Sequence, residues 1–112
     1  MGTFDARPPV NEVDLVIVTL AFDAADQEAL ARVLAAYVVL TRREEGCRNV
    51  DLCAGAGPPG RFVVIEKWES PTHQSAHFDG PAMVSMASAC QGLLTRAPQI
   101  ELLESISAHD LA

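Results

Sequence analysis

Positive charge is scarce in this chain. Lys and Arg total 8 against 15 Asp and Glu, giving a net charge of −7 at pH 7. No basic cluster offsets that deficit, so phosphate backbones would be repelled and no nucleic acid partner is expected. Long hydrophobic runs are missing too. No apolar stretch reaches the roughly 18 residues of a membrane span, so no membrane partner is expected. The first residues, Met1-Gly-Thr-Phe-Asp-Ala-Arg-Pro-Pro9, lack the charged-then-apolar pattern of a secretory signal, which makes a cytoplasmic protein the expectation. Cysteine is limited to three residues, an odd number without a Cys-x-x-Cys pair. Cys47 and Cys53 fall on one predicted strand, roughly 20 Å apart at the usual rise and too far to bridge. Buried, reduced thiols are the expectation. What is present, 49% apolar and 21% charged residues in 112 positions, describes one folded globular domain.

The stretch from Arg61 to Phe78 organises the chain. Its first half is β-branched and aromatic enough for a strand, with Phe62, Val64, Glu66 and Trp68 sharing one face. Ser70-Pro71 ends the strand and opens a helix, Ser as N-cap and Pro at the first helical position. His73 and His77, four apart, lie on one side of that helix. Upstream, residues 1–12 read as a flexible arm and Asp14 to Phe22 as a strand apolar on both faces. Asp23 and Asp26 are N-cap candidates for a long helix whose stripe is Leu30, Val33, Leu34, Tyr37, Val38 and Thr41. Gly46 closes it as a left-handed cap, and Cys47 to Ala54 alternates as a strand. Gly55 to Gly60 is a turn; no Lys-Ser/Thr follows, so it is not a phosphate loop. Downstream, Asp79-Gly80 breaks the chain, Pro81 opens a helix with the stripe Met83, Met86, Ala87, Cys90, Leu93 and Leu94, Ile100 to Ile106 is a last strand, and 108–112 a tail. The order strand, helix, strand, strand, broken helix, strand predicts an α+β, ferredoxin-like split βαβ fold with a four-stranded antiparallel sheet over residues 13–107.

The runs Arg43-Glu-Glu-Gly46-Cys47-Arg-Asn-Val-Asp-Leu52, Phe62-Val-Val-Ile-Glu66-Lys-Trp68-Glu-Ser70 and Ala76-His77-Phe78, in that order and spacing, resemble the antibiotic biosynthesis monooxygenase domain. The resemblance spans roughly residues 13–107. It implies a dimeric α/β barrel and an activity drawn from a family of cofactor-independent oxygenases of polyketide phenols or quinols, haem-degrading enzymes and signal-molecule isomerases. Two positions depart from the pattern. Val64 stands where the polyketide oxygenases carry Asn, and Ala82 where many members carry a second His. Haem degradation would need an Asn on the first strand, which has none.

Two readings are open for Trp68 and Glu66: a core aromatic with a carboxylate paired to Arg, or a pocket wall with a carboxylate whose pKa burial would raise. His77 is the expected base, since imidazole titrates near neutrality, with Glu66 the other catalytic candidate. Val64, Trp68, Phe78 and Met83 are the expected substrate-binding residues. His73 and His77 have metal-pair spacing, with Glu66, Asp79 or His109 as third ligand, but no metal and no cofactor is expected. The function expected from the resemblance is monooxygenation of a small aromatic, phenolic or quinol-type molecule. A non-catalytic binding protein and an isomerase of a small carbonyl compound are the alternatives. The helices can cover only one sheet face, and the first and third strands are apolar on both. A homodimer paired through the sheet is therefore expected.

Overall fold

A computed structural model describes residues 15–108. The proposed arm at 1–12 and all of the tail except Ala108 lie outside the described residues. The chain runs β1 (Val16–Asp23), α1 (Gln27–Thr41), β2 (Cys47–Ala54), β3 (Arg61–Trp68), α2 (Pro71–Phe78), α3 (Pro81–Ala89) and β4 (Gln99–Glu104). The strands form one antiparallel sheet in the order β2-β3-β1-β4. This is the α+β, ferredoxin-like arrangement.

The punctuation works as the residue chemistry requires. Asp26 caps α1 by accepting from the Ala29 backbone N–H at 3.1 Å, and Ser70 caps α2 by accepting from that of His73 at 3.2 Å. Pro81 opens α3 after Gly80. α1 ends at Thr41, and a turn through Arg42 to Glu45 reaches Gly46, whose φ of 81° is the left-handed conformation that glycine tolerates best. The His73 ring packs so closely on Gly46 that a Cβ there would fall 2.2 Å from its Cγ.

Register decides which side chains meet. Val16 pairs with Trp68, Val18 with Glu66, Leu20 with Val64 and Phe22 with Phe62, so all eight share one face. The helices cover that face, and Val18, Leu20, Phe22, Val64 and Trp68 are buried against Leu30, Leu34 and Tyr37 of α1 and Met83 and Met86 of α3. Each large side chain so buried stabilises the fold by about 1.5–3 kcal/mol. The opposite face carries Ile17, Val63 and Ile65 interleaved with Thr19 and Lys67, all half-buried. The bare face is therefore more mixed than an apolar reading of both faces anticipates. β4 is exposed along its whole length, Ile100 at 42% and Leu102 at 56% included, because α3 stops short of that sheet edge. The thiols differ from expectation at one site: Cys90 is buried and Cys47 half-buried, but Cys53 is exposed, since alternation turns it to the open face beside Val63.

Candidate active site

A carboxylate in the middle of β3 is the least expected feature of the core. Glu66 sits between Val64 and Trp68 on the covered face and is 1% exposed. A buried charge is tolerable only if its oxygens are satisfied. Trp68 Nε1–H donates to Oε1 at 2.9 Å, and the Tyr37 hydroxyl donates to Oε2. Tyr37 comes from the α1 stripe, where it reads as an ordinary core position, and its phenol is buried.

The last turn of α2 brings His77 against this pair. Its Nε2 lies 2.7 Å from the Tyr37 oxygen and 3.6 Å from Glu66 Oε1, and its ring stacks on the Trp68 indole with centroids 4.5 Å apart. Its Nδ1 lies 2.8 Å from Oε2 of Glu44, in the turn between α1 and β2. That turn is held by Glu44 N–H to Thr41 O, Cys47 N–H to Glu44 O and Glu69 N–H to Gly46 O. The Glu-x-Gly-Cys run thus has a mechanical role: Gly46 lets the chain double back so that Glu44 meets His77.

Protonation follows from the partners. Burial pulls the His77 pKa down, but hydrogen bonds and charges from Glu66 and then Glu44 outweigh it, and the imidazole is raised above its ordinary value. The imidazolium donates from Nδ1 to Glu44 and from Nε2 to Tyr37, whose own proton goes to Glu66. Burial, and then the Glu66 charge, push the Tyr37 phenol far above its usual range, so it keeps that proton. Among the described residues no buried side-chain nitrogen or oxygen is left without a partner. Cys47, beside the cluster, is pushed up to about 11 by burial and by the Glu66 and Glu44 charges, and stays a thiol at neutral pH.

Two adjoining hollows of about 290 and 460 Å³ share Leu40, Ala82 and Ser85 and form a groove between α1 and α3, with Tyr37 on its floor and Glu44 at one end. Ala82, a small side chain at the start of α3, lines both hollows. A separate cavity of about 370 Å³ lies between α3 and the β1–β4 edge, lined by Leu20, Phe22, Met83, Met86, Cys90 and Ile100 among others. It too is mostly apolar, but none of the acid–base cluster lines it. Proximity to groups that can move a proton makes the α1–α3 groove the better reaction site.

The structure brings three of the sequence-nominated residues together: Glu66, Trp68 and His77. Val64 is fully buried two residues before Glu66 on β3, Met83 lines the other cavity, and Phe78 is 43% exposed. His73 turns away from His77, with Nδ1 at 2.7 Å from Ser70 Oγ. Tyr37 and Glu44 complete the cluster, and neither stands out as a site residue in the sequence. Tyr37 looks like core by its spacing, and Glu44 belongs to the Glu-x-Gly-Cys run, which reads in the sequence as a turn.

The sequence profile described as antibiotic biosynthesis monooxygenase matches residues 15–88. The chain belongs to the antibiotic biosynthesis monooxygenase family. A relative within reach of that family, YgiN of Escherichia coli K12, named a probable quinol monooxygenase, is 34% identical over 74 residues, covering 59% of this chain and 71% of its own. Among solved structures, Rv0793 of Mycobacterium tuberculosis superposes with a TM-score of 0.77 at 29% identity, over 82% of this chain and 95% of that one. PA3566 of Pseudomonas aeruginosa gives 0.73 at 25%, over 84% and 95%. NE2512 of Nitrosomonas europaea, at 0.79 and 22%, over 89% and 97%, shares the fold. The profile match contains the whole acid–base cluster of this antibiotic biosynthesis monooxygenase family member, from Tyr37 to His77. No helix among the described residues is long and apolar enough to cross a membrane.

Proposed function

We propose that this chain is a cofactor-independent monooxygenase that oxidises a small aromatic, phenolic or quinol-type substrate with dioxygen. The observation that carries the reading is a buried acid–base chain, Glu66–Tyr37–His77–Glu44, ending on an apolar groove. Family membership and the quinol monooxygenase name of a relative support the reaction class.

The chemistry asks little of the protein. A phenolic hydroxyl loses its proton, and the electron-rich anion reduces dioxygen directly. For a hydroquinone, one oxygen atom becomes bonded to a ring carbon and the other leaves as water. The substrate gives up four electrons and becomes a hydroxyquinone, which balances the four taken by dioxygen. The protein supplies a dry wall of Leu40, Pro81 and Ala82, a means of removing the proton, and orientation. A homodimer belongs to the same proposal. Leu103 on β4, with Ile17, Val63 and Ile65 on the open face of β1 and β3, forms a surface that a second copy would cover about a two-fold axis. Unpaired thiols and an acidic surface fit a reducing, cytoplasmic compartment.

Oxygen uptake with a panel of hydroquinones and anthrone-like phenols tests the activity. Uptake above autoxidation is expected for at least one of them, and none across the panel would refute the reading for these substrate classes. Saturable binding without uptake would favour the non-catalytic alternative, and turnover of a carbonyl compound without oxygen the isomerase.

A further inference from the structure

The sequence points to His77 as the base, but the geometry leaves that ring no free nitrogen. Nδ1 is bonded to Glu44 at 2.8 Å, Nε2 to the Tyr37 oxygen at 2.7 Å, and the side chain is 1% exposed. Glu66 is equally enclosed, between Trp68 Nε1–H and the Tyr37 hydroxyl. Tyr37 lies on the groove floor with its own proton committed to Glu66. Glu44 differs from the other three. Its side chain is 29% exposed, it lines the groove beside Leu40, Pro81, Ala82 and Ser85, and one of its oxygens is anchored from behind by His77.

We propose that Glu44 is the catalytic base of this groove, that it takes the hydroxyl proton of an uncharged phenol or quinol, and that the site turns away aromatic anions. The assignment rests on the monooxygenase reading for its reaction and on the groove for its geometry. The substrate O–H bond breaks, the proton goes to a Glu44 carboxylate oxygen, and the electron pair stays on the phenolate oxygen. The net charge of the ensemble does not change. Negative charge moves from Glu44 to the substrate, still within the field of the His77 imidazolium immediately behind. His77 is thus a positioning residue, which fixes the carboxylate and holds a positive charge where the new anion forms.

Exclusion of anions follows from the neighbours. The titratable groups facing His77 are Glu44, Glu66 and Tyr37, with the Cys47 thiol nearby on β2. Two carboxylates surround one imidazolium. The cation lining the groove, Arg32, stands towards the other end of α1, roughly 13 Å of helix axis before Thr41. A carboxylate or phosphate on the ring beside Glu44 would meet the like charge of that carboxylate, with the one imidazolium behind it already shared between Glu44 and Glu66.

Two measurements on the full chain test this. With a hydroquinone that the wild type oxidises, Glu44→Gln keeps a hydrogen-bond acceptor for His77 but cannot take a proton. Its kcat is expected to fall about 100-fold or more, the usual range for a lost general base, with KM changed less than about threefold. An unchanged kcat in a folded Glu44→Gln variant would overturn the assignment. In the second, 2-naphthol and 2-naphthoate are titrated calorimetrically, which needs no turnover. Wild type is expected to bind the naphthol at least about tenfold more tightly, on the scale of one unscreened charge contact, and Glu44→Gln to narrow that preference below about threefold. Equal or tighter binding of naphthoate, a preference that Glu44→Gln does not alter, or binding of neither probe would overturn it. Absence of oxygen uptake in the wild type defeats the monooxygenase reading instead, and the naphthol pair then decides whether Glu44 receives the hydroxyl.

Discussion

Tyr37→Phe deletes one oxygen atom from the middle of the acid–base chain and leaves the ring in place. That oxygen makes two contacts, donating to Glu66 and accepting from His77 Nε2 at 2.7 Å. Hydrogen bonds to charged groups contribute about 1.5–3 kcal/mol each, so losing both with no relaxation would cost roughly 3–6 kcal/mol. Relaxation is available, because His77 Nε2 already stands 3.6 Å from Glu66 Oε1. A small rotation of the imidazole closes a direct contact and recovers one of the two bonds. The expected loss is therefore about 2–3 kcal/mol, a large part of the 5–15 kcal/mol typical of a domain. Urea unfolding at one fixed protein concentration measures it, with an unchanged m-value as the sign that only stability moved. A loss below about 0.5 kcal/mol would refute the view that the phenol is shared by two buried charged groups.

The remaining predictions concern pH, backbone and assembly. The folded His77 pKa lies above the ordinary 6.5, so its stabilisation is complete below about pH 6.5 and is lost as pH rises through the folded value. Urea midpoints from pH 6 to 9 are expected to fall, and His77→Gln to flatten that fall; midpoints that rise would show the sign to be wrong. Gly46→Ala adds a Cβ at a φ of 81°, about 1–2 kcal/mol of left-handed strain, and the collision with His73 adds to it. Thermal denaturation is expected to show a drop of several degrees, and a variant as stable as wild type would mean that the turn is not locked by His73. Light scattering at micromolar concentration is expected to give twice the 12.0 kDa chain mass. A monomer would remove the proposed pairing of sheets.

The fold is legible in the sequence wherever a local rule operates alone. Alternation in Phe62, Val64, Glu66 and Trp68 sets β3, and the Ser70-Pro71 and Gly80-Pro81 pairs set the starts of α2 and α3. The three-four stripe sets α1, although its end at Thr41 comes before the turn that leads to Gly46. β4 begins at Gln99 and ends at Glu104, short of Ile106, because pairing with β1 stops where Val16 meets Glu104. The site is only half legible. Glu66, Trp68 and His77 stand out as polar or rare residues close together in the chain. Tyr37 does not, because spacing reports which face a side chain occupies and says nothing of what its hydroxyl will meet 29 residues on. Glu44 fails for a related reason: the approach of two turns, fixed by Gly46, makes it part of the site. Phe78, next to His77 in sequence, is 43% exposed, because the helix rotates its side chain outward.

The chain carries a single Trp, and its indole lies flat on the His77 ring, 27° from parallel, with its N–H on Glu66. A protonated imidazole in contact with an excited indole quenches its emission, whereas the neutral ring quenches far less. Trp68 is therefore a built-in optical gauge of one proton. Its fluorescence is expected to brighten as His77 loses charge, without a label and without knowledge of the substrate. The midpoint of that brightening would give the resting ionisation of the site in the intact protein.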